Sequence, residues 1–181
     1  MTSASRLPGV VQLLRLPETE STQTVARFLA AEGAPAGTLV WADRQTAGRG
    51  RLERMWDSAD GGLYFSLVTR PRLKPSGLAA LGLDTAGVIA QALRELTGLK
   101  TRVKKPNDVL AFDGARGGKV SGILIEASGG ERTLDWVVTG IGVNVNNDVS
   151  LDTATTLRRL TGRRWPVETV LRRILAGLNA L

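Results

Sequence analysis

Residues 48–56 read GRGRLERMW, three arginines and two glycines with neither helical nor strand periodicity, led in by Gln45, Thr46 and Ala47. That makeup suits an anion-binding loop. Glycine lets backbone N–H groups approach a ligand closely, and the planar guanidinium pairs with phosphate or carboxylate oxygens while keeping its charge near neutrality. Trp56 offers a flat face for a base. Read alone, the same residues also suit a solvated or RNA-binding basic segment. Residues 104–109, KKPNDV, gather two lysines, an amide and a carboxylate around Pro106, either as an ordinary turn or as a turn that returns Asn107 and Asp108 to a site. Residues 117–126, GGKVSGILIE, bring one lysine into an apolar strand. Lys119 is then either a surface hairpin lysine or a buried-mouth cation whose partner is a bound anion, with Gly122 leaving room beside it or marking a bulge. Residues 140–147, GIGVNVNN, end in amides that donate and accept at once, as an adenine edge requires, although glycines there also serve tight packing.

Composition narrows the chemistry. The 181 residues contain no Cys and no His, which removes disulfides, thiolate nucleophiles, imidazole bases and the usual zinc ligands. What remains is Lys, Arg, Asp, Glu, Ser, Thr, Tyr, backbone dipoles and a hard cation such as Mg²⁺ held partly by substrate phosphates. The net charge of +7 favours anionic ligands, acidic proteins or nucleic acid without choosing among them. The first residues lack the apolar core of a signal peptide, and no apolar run approaches the roughly 20 residues that cross a bilayer. The expectation is a soluble, cytoplasmic, single-domain protein.

These residues must be positioned by the elements between them. Strands are expected at residues 10–16, stopped by Pro17, then at 38–42 and 63–69, and again at 101–104, 109–112, 119–127 and 134–145. A turn at 114–118 joins two of them. A first helix follows Ser21 or Thr22 as cap, carries Val25, Phe28 and Leu29 on one face and ends at Gly33. A long helix over 77–96 stops at Gly98, and two short ones run through Leu157 and Leu160 and, after Pro166, through Val170, Leu171, Ile174 and Leu178. The loop at 45–56 would hang from a sheet edge. Few helices among many strands predict an α+β fold with a mixed, largely antiparallel sheet flanked by helices.

Taken together and in order, Ser21-Thr22-Gln23, QTAGRGRLERMW, GGLYFSL, KKPNDV, GGKVSGILIE and GIGVNVN resemble the catalytic domain of biotin protein ligases over nearly the whole chain. The ordered set is specific where each piece is not. The resemblance implies two reactions in one site: biotin's carboxylate attacks the α-phosphate of ATP, giving biotinyl-5′-AMP and pyrophosphate with Mg²⁺, and a lysine of a biotin carboxyl carrier protein then attacks the mixed anhydride. It assigns Ser21, Thr22, Gln23, Gln45 and Gly122 to biotin, has Arg49, Gly50 and Arg51 close over the intermediate, and puts Lys119 on the biotin carboxylate and phosphate. Arg51, Arg54, Trp56, Asn107 and Asn144 fall to the adenylate. Lys119, Arg49 and Asp108 form the catalytic set, with Asp108 orienting or deprotonating the incoming lysine, and no metal ligand is assigned. The loop at 46–56 would be mobile when empty and ordered over biotinyl-AMP.

The match has departures. Lys105 stands where the family usually has tryptophan, and Leu52-Glu53 where many members have Arg-Gly. The resemblance further implies a monofunctional ligase with no N-terminal DNA-binding domain, no DNA partner, no membrane and no small C-terminal β domain, and a homodimer as a family-level expectation. Rival readings are a lipoate-protein ligase-like enzyme, a non-catalytic biotin or biotinyl-AMP binder, and a basic nucleic-acid module, the last lacking an evident stacking platform.

Overall fold

The computed structural model describes residues 7–180. Residues 1–6, on which part of the leader reading rests, lie outside them. Among the described residues seven strands form one sheet: β1 (Gln12–Thr19), β2 (Thr38–Gln45), β3 (Leu63–Thr69), β4 (Lys100–Lys104), β5 (Asp108–Asp113), β6 (Arg116–Gly129) and β7 (Leu134–Val143). Their spatial order is β1-β2-β3-β7-β6-β5-β4. Only β1 and β2 run parallel; every other neighbour is antiparallel. The expected α+β class with a mixed, largely antiparallel sheet is what forms.

The helices are α1 (Thr22–Ala31), α2 (Leu78–Thr97), α3 (Leu157–Thr161) and α4 (Val167–Leu178). On one face, α1 sets Ala26 and Ala30 on Val40, Val68 and Val138. On the other, α2 and α4 close a larger core in which Phe65, Ile89, Leu93, Leu171 and Ile174 are fully buried. By length and composition residues 75–97, including α2, are apolar enough to cross a bilayer, contrary to the sequence expectation. Here that helix is a core element, its Ala86, Ile89 and Leu93 sealed against the sheet and α4.

Several boundaries differ from the sequence reading, each for a reason. β1 continues through Pro17 to Thr19, because β1 is an edge strand and the missing N–H faces no partner. Phe28 is 64 % exposed; α1 buries Thr22, Gln23, Ala26 and Ala30 instead, since it lies over a polar slot as well as a core. The β5–β6 turn is tighter than expected, with Asp113 paired to Arg116 across Gly114 and Ala115, and Gly114 at φ +60°. β2 extends to Gln45, so the arginine loop leaves a strand inside the sheet and not its edge. That loop is itself organised: Arg49 and Met55 form a bridge around a 3₁₀ turn at Arg51–Glu53, with Leu52 in the left-handed region at φ +55°.

Candidate active site

The middle of the α1 face lacks the apolar side chains found elsewhere. One row across the sheet runs Tyr64, Gly142, Gly122 and Asp108; the next runs Ser66, Gly140 and Leu124. Residues directly opposite in a ladder share a face, so the central glycines form a bed with no side chains of its own. Trp56 lies on that bed. A Cβ on Gly142 would stand 2.5 Å from the indole Nε1, and one on Gly122 would stand 2.8 Å from its Cζ3. The indole Nε1 is buried without a hydrogen-bond partner.

Lys119 reaches this face through a bulge. Val109 pairs with Ser121 but Leu110 with Lys119, so Val120 is an extra residue in β6. Strict alternation would put Lys119 on the face opposite Gly122; the bulge keeps Val120 in the core and turns Lys119 toward the bed. The Lys119 backbone then bonds elsewhere, its N–H donating to Thr153 O (2.8 Å) and its carbonyl accepting from Thr155 N (2.9 Å). Lys119 Nζ lies 2.7 Å from Asp108 Oδ1 and 5.2 Å from the centre of the Trp56 ring. The partner that its position demands is therefore a carboxylate of this chain, two-thirds and more buried with it.

A polar slot opens beside the bed, under the start of α1. The Gln45 Oε1 accepts from Thr22 N (2.8 Å) and lies 3.1 Å from Thr22 Oγ1; Ser66 Oγ donates to Gln23 Oε1 (3.0 Å) and sits 3.0 Å from Thr22 Oγ1. Two hydroxyl protons thus serve three oxygen–oxygen contacts, so the slot has lone pairs to offer. Gln23 Nε2 donates to Val138 O (3.2 Å), and its carbonyl occupies the space a Cβ on Gly140 would need. Ser21 holds the N-cap position but makes no capping bond; its Oγ is buried and unpartnered. A cap residue that leaves its capping bond unmade while facing a cleft breaks a local rule where a ligand would repair it.

Cations rim the cleft. Arg49 Nη2 is 3.9 Å from Glu126 Oε1, which also takes Arg27 Nη1 at 2.9 Å. Arg51 Nη1 donates to Asn107 Oδ1 (3.4 Å), while Asn107 Nδ2 donates to Ile123 O (2.8 Å). Asn144 is buried against the far wall, its Oδ1 accepting from Asn147 Nδ2 at 3.2 Å, which leaves its own Nδ2 as the donor side. The neighbouring amides are structural: Asn146 braces both N and O of Trp165, and Asn147 Oδ1 accepts from Val145 N. Tyr64 donates to Ala59 O (2.7 Å), and burial, with Asp57 and Asp60 nearby, pushes its phenol above the usual tyrosine range. It remains a neutral donor.

Ser21, Thr22, Gln23, Gln45, Arg49, Gly50, Arg51, Arg54, Trp56, Asn107, Asp108, Lys119, Gly122 and Asn144 all line one cleft of about 690 Å³. Lys104, Lys105 and Asp57 join its rim. Sequence reasoning missed Ser66, the Gly140–Gly142 bed as a bed, Glu126 as the counter-charge to Arg49, and Ser58. Ser66, a small hydroxyl at the centre of the mostly apolar strand LYFSLVT, was the one legible signal. Among the described residues no cluster of three acidic, His or Cys side chains could cage a metal.

The profile of the biotin/lipoate A/B protein ligase family matches residues 16–144. The bifunctional ligase/repressor BirA of Bacillus subtilis is 40% identical over 162 residues, 86% of this chain and 49% of that protein. The chain thus spans about half the length of the curated relatives it matches. Biotin protein ligase from Aquifex aeolicus, solved with biotin and ATP, superposes with a TM-score of 0.76 at 38% identity, over 94% of this chain and 69% of that one. The Leishmania major ligase in complex with biotinyl-5-AMP gives 0.77 at 26% identity, over 93% and 74%.

Proposed function

This chain belongs to the biotin protein ligases of the biotin/lipoate A/B protein ligase family, and from that premise we propose that it activates biotin with ATP and passes it to a lysine of a biotin carboxyl carrier protein. The observation that carries the reading is the union, in one cleft, of a polar slot, a side-chain-free bed and a cationic rim. The slot suits a ureido ring. Ser21 Oγ and the Thr22–Ser66–Gln23 oxygens offer it donors and lone pairs, and Lys119, packed beside Gly122, would meet the far end of the acyl chain.

Both reactants of the first step are anions, so their repulsion must be offset where they meet. Lys119 faces that point, with Arg49 and Arg51 on the loop above it. The carboxylate oxygen forms the bond to the α-phosphorus while the bond to the β-phosphate oxygen breaks, and pyrophosphate leaves. No base is needed. Trp56 and the Asn144 Nδ2 donor would take the adenine, and Arg51, Arg54 and Asn107 its phosphate side. Mg²⁺ suits this donor set when it arrives on the triphosphate, because it keeps most of its waters and needs only one or two protein oxygens, here Asn107 Oδ1. It would neutralise phosphate charge.

The Lys119–Asp108 pair links the two steps. When an anhydride phosphate draws the ammonium away, Asp108 is left free to accept the proton of the carrier lysine, whose nitrogen then bonds to the acyl carbon as AMP departs. Past Ile123, whose backbone N–H and carbonyl are both taken by Asn107, β6 runs on to Gly129 with no strand paired to that edge. Beside it Leu52, Met55, Leu78 and Leu83 line an apolar groove of about 760 Å³. This edge supports docking of a carrier domain or a second copy of the chain, and equilibrium sedimentation with and without biotin would report the homodimer. The reaction belongs in the cytoplasm, with its ATP.

The deciding experiment is biotin- and Mg-ATP-dependent pyrophosphate release followed in the same tube by transfer to a carrier-domain lysine. Both signals are expected. Biotin binding with neither signal would favour a non-catalytic binder, and activity with lipoate in place of biotin would move the reading to the lipoate branch.

A further inference from the structure

We propose that Ser58 is a positioning residue for this reaction, joining the slot-facing amide of Gln45 to the backbone that places Trp56, so that filling one end of the cleft prepares the other. The inference rests on the function proposed above. The arginine loop leaves β2 at Gln45 and returns at Ser58, and the two are stitched together at this neck. Gln45 N donates to Ser58 O (3.2 Å), and Gln45 Nε2 donates to Ser58 Oγ (2.8 Å). The serine's single hydroxyl proton goes to Trp56 O (3.0 Å), and Trp56 N donates to Gly48 O (2.9 Å).

Ser58 is 5 % exposed, so these bonds are sheltered from water. Gly48 is what lets the neck close. A Cβ there would stand 2.5 Å from Ser58 Oγ and 3.1 Å from Gln45 Nε2, and would overlap Trp56 O. The neck is also fixed from outside, by Thr46 N to Thr19 O (3.0 Å) and Ala47 N to Glu20 O (2.9 Å).

Ser58 therefore decides how Gln45 presents itself. With Nε2 held by the serine and Oε1 by Thr22 N–H, the amide has one orientation. The same hydroxyl fixes the Trp56 carbonyl, and the Trp56 ring lies on the glycine bed 5.2 Å from Lys119 Nζ. Among the described residues Ser58 is the one side chain hydrogen-bonded to both Gln45 and Trp56. Biotin settling against Gln45 thus acts on the nucleotide end through a single hydroxyl, and the linkage is reciprocal.

The test uses the full chain and calorimetric titration of biotin and of α,β-methylene-ATP, the latter with and without saturating biotin. In the unaltered protein biotin should tighten the nucleotide analogue several-fold. Ser58→Ala should cut that ratio at least threefold, over and above any change in analogue binding without biotin, and Ser58→Thr, which keeps the hydroxyl, should restore it. Should the alanine variant not fold, Ser58→Cys, a weaker donor of similar shape, should show the same fall in ratio. A ratio near one in the unaltered protein, an unchanged ratio in Ser58→Ala, or no difference between Thr and Ala overturns the proposal. An unaltered protein that binds no biotin overturns the proposed function instead.

Discussion

Exchanging Lys119 for methionine keeps most of the side chain's volume and removes its charge, and the consequences fall on two different observables. For activity, a unit charge about 4 Å from an anion at an effective dielectric near 20 interacts by about 4 kcal/mol. Arg49 and Arg51 remain to take part of that role, so the expected loss at the adenylation step is about 3 kcal/mol, roughly a hundredfold in kcat. For stability, Asp108 loses its ammonium at 2.7 Å while its side chain is only 21% exposed. That situation lies between a surface pair and a buried one, so about 1–2 kcal/mol should be lost, a fall of about 5 °C in Tm. The double variant Lys119→Met with Asp108→Asn separates the two. An amide needs no counter-ion, so thermal melts should return most of the lost Tm, while biotin-dependent pyrophosphate release stays about a hundredfold down. Recovery of activity along with stability in the double variant would refute the assignment, because Lys119 would then serve only to neutralise Asp108.

Arg49→Ala should speed release of biotinyl-AMP about tenfold, read by rapid dilution from preloaded protein, while biotin Kd moves less than threefold. Gly142→Ala puts a methyl 2.5 Å from the Trp56 ring, where such contacts settle near 3.5–4 Å. The loop-borne indole must lift by about 1 Å, so the ATP KM should rise about tenfold while Tm moves by less than about 2 °C; an unchanged KM would remove the glycine bed from the nucleotide site. Asn146→Ala makes the contrast within the same motif: it strands the buried N and O of Trp165, now held at 2.9 and 2.7 Å. Stability should fall by about 3 kcal/mol in denaturant melts, with ligand affinities of the folded variant unchanged.

By itself the sequence determined the local elements whose signals are local. β3 occupies the expected residues 63–69, because a β-branched and aromatic run between glycines and a proline has few other options. The stop of α2 at Gly98, in the left-handed region at φ +75°, was equally legible. So were the residue types of the site, since an arginine-glycine loop and a lone lysine in an apolar strand carry their chemistry with them.

Tertiary structure decided how those residues meet. Strand order is absent from any one strand's pattern, yet it places Gly122 of β6 beside Gly142 of β7, turning two unremarkable glycines into a bed for Trp56. The edge position of β1 made Pro17 tolerable within a strand, and the polar slot beneath α1 made Phe28 the exposed residue and Gln23 the buried one. One extra residue at Val120 decided which face Lys119 takes, since side chains alternate strictly along a strand and a single insertion reverses every one that follows. Ser58 gave no signal at all, because a hydroxyl that joins two distant backbone segments is chosen by where the chain returns and not by its neighbours in sequence.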